Sequence, residues 1–301
     1  DRAGLGRGAD RAADSRAGRT GAAGALSVTI FPDHVLARRI EMHEAWSGRA
    51  HAEAQARRYP ETGAVVLPIA GGCAVYCGPH SPLSYTYALG MAGPVDAGDV
   101  QAIETFYGQR GLPARVRLCP LADPSLVRIL AERGYSAHAF MSVHSQRVEV
   151  AADPPGNEPG FQVRVATPDQ AARWFDLSGA GGDWAEPDGV AFMLVRCIHK
   201  PGSRLYLAWR DGEPVAGGGL EIHDGVAALI ADATLPAYRR QGAQTALLHA
   251  RLSAAREAGC SLAMVHTRPG AASQRNVLRA GFSVAYTTVE MIGLQRPAAH
   301  A

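Results

Sequence analysis

A short turn rich in arginine and glycine is the part of this 301-residue sequence best suited to chemistry. It reads Arg239-Arg-Gln-Gly-Ala-Gln244 and lies between an almost continuously apolar strand pattern, Val226–Thr234, and a helix pattern, Ala243–Ala258. The first turn of a helix has backbone N–H groups without intrahelical partners and carries partial positive charge. Gly242 allows a ligand to approach the backbone closely, so the turn predicts a diphosphate-binding site. A plain strand–turn–helix connection explains the same residues equally well.

Two titratable residues near this turn are candidates for proton transfer. Asp232 is a lone carboxylate in an apolar strand, and burying one is costly without a compensating role. Alternation along the strand predicts that Asp232 shares a face with Ala228, Ile230 and Thr234. We therefore take Asp232 as the first candidate for a general base, with an ion pair to a nearby arginine as the structural alternative. His266, on the next predicted strand, is a weaker candidate, since a histidine in a sheet often has only a structural role.

The elements that must position these residues alternate between strand and helix in the second half of the sequence. Their apolar periodicity and their Gly and Pro boundaries give the assignments. The predicted strands are Phe161–Ala166, Arg204–Trp209, Pro214–Ile222, Val226–Thr234 and Ser261–Thr267, and Phe282–Ile292 is predicted as a final strand pair or one long strand. The predicted helices are Pro168–Leu177, Gly189–His199, Ala243–Ala258 and Ala272–Arg279.

The first half of the sequence ends in a similar order of elements. A helix pattern at Ala97–Gln109, a strand at Ala114–Leu118 and a helix at Pro124–Arg133 precede Gly134, which lies 281 − 134 = 147 residues before its counterpart Gly281. This order predicts two copies of one fold, with chance similarity as the alternative. The predicted division is a flexible arm at 1–24, a first half at 25–150, a Pro- and Gly-rich linker at 151–160 and a second half at 161–301.

With its lead-in and its ending, the turn resembles the GNAT superfamily of N-acetyltransferases. The acyl-CoA loop of that family reads Gln/Arg-x-x-Gly-x-Gly/Ala. Arg239 and Gly242 match it, whereas Gln244 stands where the family has Gly or Ala. The lead-in Pro-x-Tyr-Arg at 236–239 and the ending Arg-Ala-Gly-Phe at 279–282 are also similar to the family. The resemblance covers about residues 161 to 293.

The resemblance implies a fold, a co-substrate and a set of binding residues. The fold would be α/β (α+β), with two tandem GNAT-like domains that each have a mixed, mostly antiparallel central sheet flanked by helices. Acetyl-CoA or another acyl-CoA would be the co-substrate, with no metal. The strand Val226–Thr234 and the strand after it would splay apart to admit the pantetheine arm. The residues implied to bind acyl-CoA are Ala233, Thr234, Leu235, Arg239, Arg240, Gln241, Gly242, Ala243, Gln244, Thr245, Ser273 and Asn276.

The sequence departs from the family at the position of the tyrosine general acid, where Val277 stands. A thiolate leaving group needs little proton assistance, because the pKa of a thiol is about 8.5. The nearby polar candidates are Ser273, Asn276 and Tyr286, each with a structural role as the alternative. We keep Tyr286 as a catalytic candidate beside Asp232 and His266.

In this fold the loop between the first two helices helps to form the acceptor site. Here it contains Trp184, which could form an aromatic wall, and Glu186, which could attract an amine; a solvated surface loop is the alternative. The corresponding turn of the first half instead carries Asp96 and Asp99, which suit a helix N-terminus but repel phosphate. We therefore expect a degenerate first copy that covers one side of the acceptor site or completes the fold.

Composition excludes several other classes of protein. A formal net charge of +2 gives no electrostatic footprint for nucleic acid. No apolar run approaches the roughly 20 residues needed to span a membrane, and residues 1–24 lack the apolar segment of a secretory signal. Five cysteines, an odd number, indicate reduced thiols and a cytoplasmic location. Cys73 and Cys77 have no downstream partner pair at zinc spacing.

These observations favour an acyl-CoA-dependent N-acyltransferase that acts on a small-molecule amine by direct transfer. No cysteine lies near the turn in a Cys-His arrangement, which argues against a covalent enzyme intermediate. Two alternatives stay open, namely a non-catalytic acyl-CoA-binding protein and an acyltransferase that uses an acyl carrier protein. The sequence does not separate a monomer from a homodimer.

Overall fold

Eleven strands form one mixed, mostly antiparallel sheet with helices packed against it. The computed structural model describes residues 30–78, 81–148, 160–170 and 195–294. The strands are β1 Val65–Ile69, β2 Gly72–Tyr76, β3 Thr86–Tyr87, β4 Arg115–Leu118, β5 Ser136–Arg147, β6 Gln162–Val165, β7 Ser203–Arg210, β8 Glu213–His223, β9 Val226–Thr234, β10 Leu262–Thr267 and β11 Ser283–Ile292. The α-helices of the described ranges are α1 His34–Arg58, α2 Ala97–Gly108, α3 Pro124–Glu132, α4 Ala243–Glu257 and α5 Ala272–Arg279.

The order of strands across the sheet is β1-β2-β3-β4-β11-β5-β10-β9-β8-β7-β6. Only two neighbouring pairs of the described strands, β3–β4 and β9–β10, are parallel. Mixed α/β architecture with a mostly antiparallel sheet and flanking helices therefore confirms the predicted fold class.

The two halves exchange their last strands at the centre of this sheet. β5, from the first half, pairs with β10 of the second half, for example Ser145 with Met264. β11, from the second half, pairs with β4 of the first half, for example Met291 with Val116. β5 and β11 also pair with each other along most of their lengths. Each half therefore supplies a strand that the other half needs to complete its hydrogen bonding.

Most of the predicted elements of the second half are present within one or two residues of their predicted ends. The predicted helix over 243–258 is observed as α4, and the predicted strand over 282–292 is observed as β11. Only residues 168–170 of the predicted helix over 168–177 lie in the described ranges, and these are helical. Of the predicted helix over 189–199, Val195–His199 is described and forms a π-helical turn.

Helix α1 is the longest described helix, and the sequence did not predict it. Its N-cap is Asp33, whose side chain accepts a hydrogen bond from the N–H of Leu36 at 2.8 Å. It contacts strands from both halves, β1 to β3 on one side and β8 and β9 on the other. Its buried face is unusually polar and includes Glu41, His43, Glu44, Ser47, His51 and Gln55. No apolar stripe therefore marked α1 as a packed helix.

A cluster of buried polar and charged side chains links α1 to the second half. Glu221 on β8 accepts a hydrogen bond from the Ser47 hydroxyl at 2.6 Å. Its other carboxylate oxygen lies 2.6 Å from Nζ of Lys200. Lys200 in turn donates to the Ser47 oxygen at 2.9 Å. Burial alone would raise the pKa of Glu221, but Lys200 and Arg196 hold it at about 2. This carboxylate is therefore charged.

No described helix is long and apolar enough to cross a membrane. No group of three or more histidine, cysteine or carboxylate side chains in these ranges could hold a metal ion. Cys73 and Cys77 are buried free thiols on and just after β2.

Candidate active site

The predicted diphosphate turn connects β9 to α4 through a short 3-10 turn at Pro236–Tyr238. Gly242 is the N-cap of α4 and has φ = +97°, a conformation that glycine adopts without steric cost. Within the described chain no side chain caps this helix, and its first turn has no acidic residue. The first N–H groups of α4 are thus left for a ligand, and the positive end of the helix dipole faces the same space.

Side chains of the turn hold its backbone in this shape. Arg239 donates from Nε to the carbonyl of Thr234 at 3.1 Å. Gln241 donates from Nε2 to the carbonyl of Ala237 at 2.8 Å. Arg240 has φ = +62°, so the chain turns sharply before Gly242. The exposed arginines therefore lie at the entrance of α4, where they add positive charge.

Helix α5 lies beside the first turn of α4. The Nδ2 group of Asn276 donates to Oε1 of Gln244, the residue that differs from the family pattern. Ser273 is half-buried on α5. Val277, at the position of the family tyrosine, packs in the apolar core with Phe282. Its side chain offers no proton, so the structure gives no acid at this position.

Strands β9 and β10 diverge beside the turn. Their parallel pairing extends from Val226 with Leu262 to Leu229 with Val265, whereas β9 continues to Thr234. On its other side β9 stays paired with β8 through the residues predicted to bind pantetheine, and the N–H of Leu235 donates to the carbonyl of Val215 at 3.0 Å. β9 and β10 therefore form a wedge that opens towards the turn. Beyond Leu229 no described strand pairs with this edge of β9, where an extended chain could hydrogen bond.

A bulge in β9 controls the direction of Asp232. Ala231 has φ = +55°, and the register with β8 shifts between Gly217 and Gly219. The bulge adds one residue and reverses the alternation of side chains. Ala228 and Ile230 face the α1 side, whereas Asp232 faces α4. The prediction that Asp232 shares a face with Ala228 and Ile230 is therefore wrong.

On the α4 side Asp232 forms an ion pair with Arg251. Oδ1 of Asp232 lies 2.6 Å from Nη2 of Arg251, which is fully buried. Arg251 also donates to the carbonyls of Leu247 and Gly219, both at 3.0 Å. Burial raises the pKa of Asp232 above its ordinary value, against the opposing effect of Arg251. This geometry matches the structural alternative, an arginine-paired strut, and a catalytic role for Asp232 stays a prediction.

His266 lies on β10 at the point where the two strands separate. It follows Val265, the last residue of β10 that pairs with β9, and it faces α1. Its Nδ1 lies 3.9 Å from Oε1 of Glu44, and its side chain is 20% exposed. Burial lowers the pKa of His266, so the imidazole is neutral near pH 7 and can accept a proton.

Tyr286 lies under α1, on the same side of the sheet as His266. Its hydroxyl donates to Oε1 of Glu41 at 2.7 Å, and the ring is buried. Burial and the neighbouring carboxylate raise the pKa of Tyr286 well above its ordinary value. Burial likewise raises the pKa of Glu41 to about 7. Trp184 and Glu186, the predicted acceptor residues, lie outside the described residues.

Sequence reasoning expected the first half to cover one side of the acceptor site or to complete the fold, but it did not identify the residues involved. Glu44 on α1 and Arg117 on β4 lie near His266, although more than 140 residues separate them along the chain. The polar residues of α1 recur at positions 41, 44, 51 and 55. That helical spacing was a usable signal, because it places them on one face.

Comparisons with known proteins agree with this geometry. Residues 171–282 match the model of the acetyltransferase (GNAT) family. This segment belongs to the GNAT family. A comparison with curated proteins gave no match.

Solved structures resemble the chain across both halves. A GCN5-related N-acetyltransferase from Kribbella flavida has a TM-score of 0.60 at 21% identity, over 81% of this chain and 95% of that chain. A tandem GNAT protein from the clavulanic acid biosynthesis pathway has a TM-score of 0.57 at 15% identity, over 78% of this chain and 83% of its own. A GCN5-related N-acetyltransferase from Sphaerobacter thermophilus has a TM-score of 0.53 at 18% identity, over 72% of this chain and 74% of that chain. At these identities the similarity establishes the fold.

Proposed function

We propose that the chain is an acyl-CoA-dependent N-acyltransferase whose donor is acetyl-CoA and whose acceptor is a small-molecule amine. The observation that carries the proposal is the uncapped N-terminus of α4 at the end of a strand that separates from its neighbour. The GNAT match places the same turn within a family of acetyltransferases. The backbone amides at 241–245 would hold the pyrophosphate, with Arg239 and Arg240 at its rim.

The wedge between β9 and β10 would hold the pantetheine arm. Ala233, Thr234 and Leu235 lie along the free edge of β9, where an extended chain can pair with the backbone as an added strand. Asn276 and Ser273 flank the turn from α5. The thioester would then lie at the narrow end of the wedge, near His266.

His266 is the group that we assign as the general base, in preference to Asp232. It removes a proton from the ammonium form of the acceptor, and the free amine attacks the thioester carbonyl carbon. The bound thioester supplies an activated acyl carbon. As the new C–N bond forms and the C–S bond breaks, the nitrogen loses a second proton, and the CoA thiolate takes up one proton and leaves as the thiol. Val277 cannot donate that proton, and a thiolate with a pKa of about 8.5 leaves without strong acid assistance.

Two other functions make different predictions. A non-catalytic acyl-CoA-binding protein fits the loss of the family tyrosine and needs only the turn at α4. An acyltransferase that uses an acyl carrier protein would bind the same pantetheine arm in the wedge. Apart from Val277, no described residue favours either alternative over the amine acyltransferase.

Calorimetry followed by an activity assay tests the proposal. We expect acetyl-CoA to bind with one site per chain, and release of free thiol to require an amine from a panel of small acceptors. His266→Gln should lower kcat by about 10² to 10⁴-fold and leave acetyl-CoA binding unchanged. His138→Gln, at an exposed histidine of β5, is the matched control and should retain full activity.

Three results would redirect the interpretation. Binding without thiol release for any amine would support the binding protein. Turnover only with an acylated carrier protein would support that third function. Full loss of activity in Asp232→Asn, with normal activity in His266→Gln and an unchanged melting temperature, would restore Asp232 as the base.

A further inference from the structure

Glu44 of α1 approaches His266 from the other half of the chain. We propose that Glu44 is a positioning residue for His266, so that the first half completes the reaction centre of the second. This inference rests on the proposed function, since it assigns a partner to the proposed base. "First half" here means the chain up to residue 148, to which α1 and β4 belong.

Glu44 is held in place before it meets His266. Its Oε2 accepts a hydrogen bond from Nη1 of Arg117 at 3.1 Å, and its side chain is only 10% exposed. Nη2 of Arg117 lies 3.5 Å from Oε1 of Glu290 on β11. The four side chains therefore form a row, His266–Glu44–Arg117–Glu290, with two members from each half. Arg117 restricts the Glu44 carboxylate so that its second oxygen, Oε1, is the one directed at the imidazole.

The 3.9 Å between Nδ1 of His266 and Oε1 of Glu44 is longer than a direct hydrogen bond. Such contacts in a free enzyme are often long and shorten in the reacting complex. When the ring gains a proton, the opposite charges attract, and a small rotation of either side chain closes the gap. A carboxylate beside Nδ1 favours the tautomer with hydrogen on Nδ1. Nε2 is then left as the proton acceptor.

The charges around the pair support this division of roles. Burial alone would raise the pKa of Glu44, but His266 and Arg117 hold it below its ordinary value. The Glu44 carboxylate is therefore ionised near pH 7. Burial is the largest effect on His266 and lowers its pKa. The charged side chains that act on His266 are Glu44 from α1, Arg117 from β4, Arg196 from the π-helical turn and Glu290 from β11. His144 on β5 also interacts electrostatically with His266.

The proton balance is simple. The acceptor ammonium gives its proton to Nε2 of His266, and the resulting imidazolium is stabilised by the Glu44 carboxylate, which keeps its charge throughout. The proton later passes from the imidazolium to solvent when product leaves. Glu44 touches neither substrate, so its removal should impair proton transfer without weakening acyl-CoA binding.

The test compares Glu44→Gln with Glu290→Gln in the full-length chain. Each variant removes one negative charge and one partner of Arg117, but only the first removes the partner of His266. For Glu44→Gln we expect kcat to fall by at least about tenfold, though less than for His266→Gln, with the KM for acetyl-CoA unchanged. The acidic limb of the kcat/KM profile should shift to lower pH, because loss of the carboxylate lowers the pKa of His266. Glu44→Asp, which keeps the charge, should recover part of the loss.

An NMR titration of the histidine ring nitrogens separates this inference from the proposed function. The His266 signals are assigned by their absence in His266→Gln, and they should titrate at lower pH in Glu44→Gln than in the wild type or in Glu290→Gln. This readout needs no turnover, so it decides the pairing even if no amine is acylated. Identical titration of His266 in Glu44→Gln and the wild type would overturn the proposal. So would a loss of kcat shared equally by Glu290→Gln, since that would indicate a structural effect through Arg117.

Discussion

Corresponding helices of the two halves begin in opposite ways. Helix α4 begins at Gly242, and no described side chain caps its first turn. Helix α2 begins at Asp96, whose carboxylate accepts from the N–H of Asp99 at 2.9 Å, while the carboxylate of Asp99 accepts from the N–H of Asp96 at 3.0 Å. In this reciprocal capping box, the two carboxylates accept hydrogen bonds from N–H groups at the start of α2 and place negative charge there. One copy of the fold therefore leaves its amides for an anion, whereas the other closes them.

The two helix ends therefore present opposite charge to an anion. The first half keeps an open groove of about 520 Å³ beside the loop Gly90–Gly93 and the start of α3, between Leu121 and Pro124. At the start of α2, Asp96 and Asp99 form a capping box, and their carboxylates repel phosphate. What the first half supplies instead is α1, which carries Glu44 beside His266, and the exchanged strand β5.

The largest effect should come from removing the first half. A fragment of residues 160–301 lacks β5, so β10 and β11 both lose a paired neighbour and expose unpaired strand edges. It also lacks Ser47, which leaves the buried pair of Glu221 and Lys200 open to water. We expect the fragment to be insoluble or to lack thiol release. Expression yield, thermal unfolding and a CoA-thiol assay measure this.

A protease site inserted in the linker, between residues 151 and 158, gives the matched control. The exchanged strands should hold the cleaved halves together, so the nicked protein should elute as one species and keep its activity. A soluble 160–301 fragment with an unchanged melting temperature and full activity would show that the first half is dispensable.

Gly242→Asp should abolish CoA binding, the next largest effect. The substitution places a carboxylate at the N-cap of α4, which converts the open helix end into a copy of the closed one at Asp96. Its charge would repel the pyrophosphate, and its oxygens would compete for the first N–H groups. Calorimetry with CoA measures the loss, and circular dichroism checks the fold.

Gly259→Asp is the control for Gly242→Asp. Gly259 follows the other end of α4, has φ = +72°, and has open space where a Cβ would lie. It therefore matches the added charge and the backbone conformation without touching the turn. Retained CoA affinity in Gly242→Asp at low salt would mean that the turn does not bind phosphate.

Glu41→Gln should change how stability depends on pH. Burial raises the pKa of Glu41 from its ordinary value of 4.5 to about 7 in the folded state. The folded chain therefore holds a proton that the unfolded chain releases between these values, so the contribution to stability is greatest below pH 4.5 and is lost as pH rises to about 7. Glu41→Gln removes this titration and can still accept from Tyr286, so the variant should gain on the order of a few kcal/mol relative to the wild type across the window.

Urea unfolding at several pH values measures this difference. Tyr286→Phe, which removes the hydroxyl but not the carboxylate, should keep the pH dependence. Parallel curves for the wild type and Glu41→Gln would show that Glu41 titrates normally in the folded state.

The sequence predicted the turn, α4 and the second-half strands because each depends on local patterns. The strand at 226–234 is apolar along its length, and Gly242 stands where the chain must turn. The side of the sheet on which Asp232 lies was predicted wrongly. The bulge is at Ala231, and no glycine at that position indicates a bulge in the sequence. Helix α1 was missed because its buried face is polar and its partners, such as Glu221 and Arg117, are distant in sequence. The helical spacing of those polar residues indicates a shared face, but it does not identify the distant residues that this face contacts.

The smallest effect should come from opening the capped helix of the first half. Asp96→Ala removes the acceptor for the N–H of Asp99, and loss of such a cap costs about 1 kcal/mol. The double variant with Asp99→Ala should cost less than twice that, because the two side chains cap each other and their contributions are not independent. CoA stoichiometry should stay at one per chain, since the turn before α2, Met91-Ala-Gly-Pro-Val, has no arginine to attract phosphate and no glycine at the N-cap. Urea unfolding measures the first effect and calorimetry the second. A second CoA site in the double variant would show that two carboxylates alone separate the degenerate copy from the binding one, and the comparison between the halves would then reduce to those two residues.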